Sequence, residues 1–255
     1  MGQMSTRNFI FHDITAVAVR NLGSGEVRLL ESSDETVQGV VESDENLLDR
    51  IELTESEGRL LVAFPQNHHA EVNLEISMPT GLAFEATTGS ADVSAEVGLA
   101  ATRITTGSGD VSLDSVTDVQ ITTGSGDVSI QTVTGSAGQI TSGSGDISIG
   151  GTGAAVQARS ASGDVSIGEL TGALRANTAS GDINVGRTTG SVESRSSSGD
   201  INVAVAESLP AWLDLKSVSG EVLIGLEAGN QPDEGDPYVS IRANTASGDI
   251  SVSRA

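Results

Sequence analysis

No cysteine occurs among the 255 residues, which removes disulfides, thiol nucleophiles and thiolate metal ligands together. Only six residues are aromatic (Phe9, Phe11, Phe64, Phe84, Trp212 and Tyr238), so a core of the ordinary globular kind, in which large rings supply much of the buried area, is not expected. There is no run of 18 apolar residues and hence no expected transmembrane helix. The amino-terminal segment lacks the basic stretch, apolar stretch and small-residue cleavage site of a secretory signal, and a cytoplasmic location is expected on that ground. Cations are scarce: 13 basic residues, of which only Lys216 is lysine, stand against 35 acidic ones, for a formal charge of -22. Binding to a phosphate backbone depends on Lys and Arg, so no nucleic-acid partner is expected.

What the chain has in abundance is small residues, 31 Gly with many Ser, Thr and Val, and they are placed with a strict period. The triplet Gly-Asp-Val/Ile or a close variant recurs with its acidic residue at Asp92, Asp110, Asp127, Asp146, Asp164, Asp182, Asp200, Glu221 and Asp249. The first seven are separated by 18, 17, 19, 18, 18 and 18 residues, the signature of a repeat-built solenoid. Side chains on a strand alternate between faces, so steps of two back from each acidic residue trace one face. That face is apolar and then hydroxylic: Val119, Ile121, Thr123 and Ser125 before Asp127, or Leu174, Ala176, Thr178 and Ser180 before Asp182. Forward of the acid a second short strand follows, with Val128 and Ile130 or Ile183 and Val185 turned inward, and a third is suggested around Val116, Val133 and Leu170.

The same residue type at the same phase in every repeat favours stacked parallel coils over a meander of hairpins, because equivalent side chains then lie above one another at ~4.8 Å. The expected fold is an all-β parallel β-solenoid with coils of about 18 residues, about nine coils in all, and a narrow interior. Buried positions are expected at Ile121, Val128, Ile140, Ile147, Val165, Ala176, Ile183 and Ile201, and exposed ones at Gln120, Arg159, Arg175, Glu193 and Arg195. The serine two residues before each acid, Ser162 and Ser180 among them, is expected inside a tight corner. Residues 1–83 break the rhythm and read as an irregular amino-terminal cap. Residues 84–255 carry the repeats, with an insertion near 226–238 that, with Trp212, is expected to close the far end.

The repeats resemble those of the bacterial β-strand-repeat family of unknown function whose members are labelled putative adhesins. The segments GSGEVRL (23–29), GRLLV (58–62) and LEISMPTG (74–81) are similar to its amino-terminal region, and AWLDL (211–215) and IRANTASGDI (241–250) to its actinobacterial members. The resemblance covers nearly the whole chain and brings no catalytic residue with it.

The strongest candidate for chemistry is the row Asp110, Asp127, Asp146, Asp164, Asp182 and Asp200. Carboxylates stacked at ~4.8 Å repel by roughly 1 kcal/mol per neighbouring pair in water, so something should compensate. Calcium is one compensator, and 18 residues equal two nonapeptides of the calcium-binding β-roll. The fit is poor, because Asp follows Gly directly and one motif occurs per coil where the roll needs two. The plainer explanation is that Gly supplies a positive φ at a corner while Asp accepts from nearby backbone amides. The histidines are His12 and the pair His68-His69, read as surface residues and not as metal ligands. No Gly-x-Ser-x-Gly elbow is set between strand and helix, and the Gly-Ser-Gly runs lack the Lys and helix of a phosphate loop. Outward Thr87, Thr105, Thr122 and Thr141 form a ladder that stops at Arg159, which argues against an ice-binding face. The expectation is a non-catalytic structural or interaction protein without a cofactor, its partner another protein or itself. The alternative is a calcium-stabilised β-roll-like binding protein.

Overall fold

The computed structural model describes residues 4–66, 70–207, 209–227 and 238–255. Apart from one four-residue helix, the described elements are strands, and the chain divides into two compact units, Met1–Ile130 and Gln131–Ala255. The first holds β1 (Met4–His12), β2 (Ala16–Leu22), β3 (Ser24–Glu31), β4 (Thr36–Asp44), α1 (Glu45–Leu48), β5 (Glu52–Ser56), β6 (Arg59–Ala63), β7 (Glu71–Met78), β8 (Leu82–Thr88), β9 (Asp92–Ala95), β10 (Leu99–Thr106), β11 (Val111–Val116), β12 (Val119–Thr123) and the start of β13 (Val128–Val133). The second holds β14 (Ala137–Ser142), β15 (Ile147–Thr152), β16 (Ala155–Ser160), β17 (Val165–Leu170), β18 (Ala173–Thr178), β19 (Ile183–Thr188), β20 (Ser191–Arg195), β21 (Ile201–Val205), β22 (Ala211–Ser217), β23 (Val222–Ile224), β24 (Val239–Thr245) and β25 (Ile250–Arg254).

Each regular coil contributes one strand to each of two parallel columns. In the second unit the first column runs β14, β16, β18, β20, β24, β22. The second runs β15, β17, β19, β21, β25, β23. The last coil in space is therefore not the last in sequence: β24 and β25 slip between β20–β21 and β22–β23. The first unit does the same near its start, where β2 pairs with both β6 and β8, and β3 with both β7 and β9.

The coil made by β18 and β19 shows why the sequence closes on itself. Leu174, Ala176 and Thr178 point inward, then Ala179 and Ser180 are both exposed, Gly181 is buried, and Ile183 and Val185 resume the inner face. Two consecutive outward residues break the alternation and turn the chain. All eight positions expected in the core are buried, from Ile121 to Ile201. Arg159, Arg175 and Arg195 are exposed as expected, while Gln120 and Glu193 are half-buried. Val116, Val133 and Leu170 are not a third strand: they are the buried last residues of β11, β13 and β17.

The same turn corrects the expected inner serine row. Ser90, Ser108, Ser125, Ser144, Ser162, Ser180, Ser198, Ser219 and Ser247 are all exposed, because they are the second outward residue of the corner. The buried hydroxyl stands two residues earlier, at Thr106, Thr123, Ser142, Ser160, Ser196 and Thr245, where it accepts the N–H of the glycine three residues on at 2.8–3.1 Å. That glycine does not need a positive φ, which in the repeats was the expected reason for it; only Gly25, Gly58 and Gly81 have one among the described glycines. It is needed because the coils touch there. A Cβ on Gly181 would lie 2.0 Å from the carbonyl oxygen of Gly163 on the neighbouring coil.

The first unit finishes its stack differently. Column two passes from parallel to antiparallel at β7–β4 and β4–β1. α1 places Leu47 and Leu48 in buried positions beside Ile51, and the Arg7 guanidinium donates to the carbonyl oxygens of Leu48 (2.9 Å) and Ile51 (2.8 Å).

Candidate functional site

The aspartate row sits at the corner that enters column two, with side chains toward solvent, and its chemistry is internal. In the first unit the N–H of Asp110 donates to Oδ1 of Asp92 (2.9 Å), and that of Asp127 to Oδ1 of Asp110 (2.8 Å). In the second unit the N–H groups of Asp164, Asp182, Asp200, Asp249 and Glu221 donate in turn to Oδ1 of Asp146, Asp164, Asp182, Asp200 and Asp249, at 2.7–2.8 Å. A hydrogen bond to a charged group is worth about 1.5–3 kcal/mol, against roughly 1 kcal/mol of repulsion between exposed neighbours. The amides thus offset the repulsion. Glu replaces Asp only at residue 221, on the coil whose outer side carries no further described coil. Among the described residues no group of three or more His, Asp or Glu side chains is gathered as a metal site would require. His12 is exposed at the end of β1, and His68-His69 lie outside the described residues.

The outward side of column one in the second unit has a different character. The register sets its side chains in rows along the stack. One row is Gln139, Gln157, Arg175, Glu193, Arg242, Asp214, and the next is Thr141, Arg159, Asn177, Arg195, Asn244, Lys216. Five cations and two carboxylates share this face of a chain whose formal charge is -22. Glu193 lies between Arg195 (2.8 Å) and Arg175 (3.6 Å), and Asp214 accepts from Arg242 Nε at 2.8 Å. No ion pair forms at Arg159 or Lys216 among the described residues. Beside these rows runs a third of small residues, Ala137, Ala155, Ala173, Ser191. Ala155, Ala173 and Ser191 of this row line a shallow groove of about 410 Å³ together with Arg175, Glu193 and Arg242.

The opposite column of this unit presents an uncharged row: Ser148, Ser166, Asn184, Asn202, Ser251. The outward side of column two in the first unit is acidic, and there Arg28 stands among Glu96, Glu26 and Glu75. A hydrogen bond and the charge of Glu96, aided by Glu26 and Glu75, raise its guanidinium above the ordinary value.

The basic face offers guanidinium, amide and hydroxyl donors in rows along the stack. It suits recognition of carboxylates. Read only as interruptions of the threonine ladder, Arg159, Asn177 and Arg195 conceal it. The signal is nonetheless in the repeat: Arg159 and Arg195 stand five residues before Asp164 and Asp200, Arg175 and Arg242 seven before Asp182 and Asp249. Trp212 is not the expected lid. It sits on this outward face and is 48% exposed, while of the insertion near 226–238 assigned with it residues 228–237 lie outside the described residues.

No curated protein matches the chain. Among solved structures it is similar to a putative adhesin from Bacteroides fragilis, with 15% identity, a TM-score of 0.49 and coverage of 98% of this chain and 97% of that one. A putative adhesin from Parabacteroides distasonis gives 14% identity and a TM-score of 0.47 over 98% and 97% of the two chains. A protein from the same organism described as a putative lipid binding protein gives 20% and 0.49 over 98% and 97%. None of these three is described as an enzyme, and no helix among the described residues is long and apolar enough to cross a membrane. The family model for the Toastrack DUF4097 domain, a β-solenoid, matches residues 15–253, and the chain belongs to that family.

Proposed function

We propose that this is a non-catalytic interaction protein whose second unit presents the Arg159–Lys216 face to an acidic surface of another protein. The observation that carries the reading is the concentration of five cations on one face of a strongly acidic chain. Long-range steering by such a face is salt-dependent, and fixed rows of guanidinium groups suit carboxylates better than lysines would. The rigid stack spaces the donors evenly along the groove, so an extended acidic segment meets them without ordering loops first.

The probe is a polyglutamate peptide. Titration at low ionic strength is expected to show binding that weakens as salt rises. Binding unchanged in the double variant Arg159→Glu/Arg195→Glu, at an unaltered melting temperature, would refute the reading. The calcium-stabilised alternative has less support, since each carboxylate of the row from Asp146 to Asp249 already accepts a backbone amide. Circular dichroism with and without a chelator separates the two, and a cooperative loss of strand signal on chelation would favour calcium.

A further inference from the structure

The coil of β22 and β23 ends the second unit as an open layer of core. β22 bonds only to β24 and β23 only to β25 among the described residues, so the other edge of each strand has no described partner. Its inward residues keep the phase of every coil before it, yet they are not covered. Leu213 and Leu215 are half-buried, where their stacked neighbours Ile241 and Ala243 are 0% exposed. Val222 and Ile224 are 41% and 53% exposed, where Ile250 and Val252 below them are 0% exposed. The first unit, by contrast, finishes on antiparallel strands and on Leu47 and Leu48.

Strand edges of this kind template pairing with another chain, and natural edges are blunted by Pro, charge or bulges. Val222-Leu223-Ile224 carries none of these. The stretch 228–237, which joins β23 to β24 in sequence, reads Ala-Gly-Asn-Gln-Pro-Asp-Glu-Gly-Asp-Pro. It contains no large apolar side chain with which to dry the layer.

We infer that this end is the contact surface for a second copy of the same chain, joined end to end about a twofold axis. A twofold sets each terminal strand antiparallel to its counterpart, so unpaired N–H and C=O groups on both edges are satisfied and the two open apolar layers meet. Within the unit coil stacks on coil in parallel. The twofold contact is antiparallel, but it sets the same two strand edges and the same open apolar layer against themselves, and this self-complementarity is why the occupant is a copy and not an unrelated surface. Trp212 and the exposed Leu223 lie at its rim. The end surface adjoins the basic face along β22, but it uses the inward residues and open edges of the last coil where the basic face uses outward side chains, so the two proposals are tested by different variants.

Sedimentation equilibrium of the intact chain, with hydrogen exchange read in parallel, tests it. The wild type is expected to form a dimer, with the amides of 211–217 and 222–224 more protected as concentration rises. Ile224→Lys is expected to raise the dimer dissociation constant by about tenfold or more. Ser148→Lys, in the uncharged row on the side of the stack, should leave it unchanged, and matched thermal melts establish that both variants are folded. A wild type that stays monomeric at high micromolar concentration overturns the inference, whether its end-coil amides are exposed or are protected by residues 228–237. So does a dimer that Ile224→Lys leaves intact.

Discussion

Replacing Ser196 by Ala removes an oxygen smaller than a methyl group and should still be among the more damaging single changes in the second unit. Its Oγ accepts the N–H of Gly199 at 2.8 Å, donates to the carbonyl oxygen of Gly181 on the adjacent coil at 3.2 Å, and faces the Thr178 hydroxyl at 3.0 Å. Ser196 is 8% exposed and Gly199 is buried, so no solvent replaces the lost partner. Loss of the bond to Gly181 costs about 1 kcal/mol, and the buried N–H of Gly199 left without its acceptor costs about 1–3 kcal/mol; the range expected is about 2–4 kcal/mol. At ~3 °C per kcal/mol for a domain of this size, Tm should fall by about 6–12 °C in a calorimetric or circular-dichroism melt. Ser198→Ala, two residues on and exposed, should stay within about 0.5 kcal/mol, or under ~2 °C. Equal shifts for the two variants would refute the assignment of the inner hydroxyl and of the corner that follows it.

Three further outcomes are expected. Gly181→Ala should lower Tm more than Ser196→Ala or prevent folding, because its Cβ meets the Gly163 carbonyl at 2.0 Å, whereas Gly151→Ala, with nothing within 4 Å, should be neutral in the same melt. Asp182→Asn keeps an acceptor for the Asp200 amide and relieves the repulsion of stacked carboxylates, so its Tm should match the wild type or exceed it; Asp182→Ala should lose about 1.5–3 kcal/mol by urea denaturation. Arg7→Ala should selectively speed hydrogen exchange in residues 45–51, where the guanidinium holds two carbonyl oxygens, and a change spread evenly over the unit would contradict that role.

The period and the inside-outside parity of the strands were legible because narrow coils leave no choice about where Ile121, Ile147 or Ile183 can go. The corner was not, since Thr178 and Ser180 share one parity and alternation alone does not mark where it stops. Glu193 was expected outside and is half-buried because Arg195 of its own strand and Arg175 of the neighbouring strand close over it, and the second of these contacts is invisible along one repeat. The aspartate row could be read as structural, but not its direction, each carboxylate serving the amide of the next coil. The stacking order of the last coils was hidden for a deeper reason. Near-identical repeats can dock in any order with similar pairing, so the linear pattern does not say which coil is outermost.

That order has a consequence for how the molecule is made. Ribosomal synthesis delivers β22 and β23 before β24 and β25, yet the earlier pair has no described ladder partner until the later pair has docked on β20 and β21. In the finished order, growth of the stack by simple addition reaches only residue 205, and residues 239–255 must be inserted beneath a coil made earlier as chain. A nascent polypeptide halted at residue 238 would carry an unanchored 211–224 segment rich in Leu, Val and Ile. In this interval the segment is open to proteases and to pairing with the wrong neighbour.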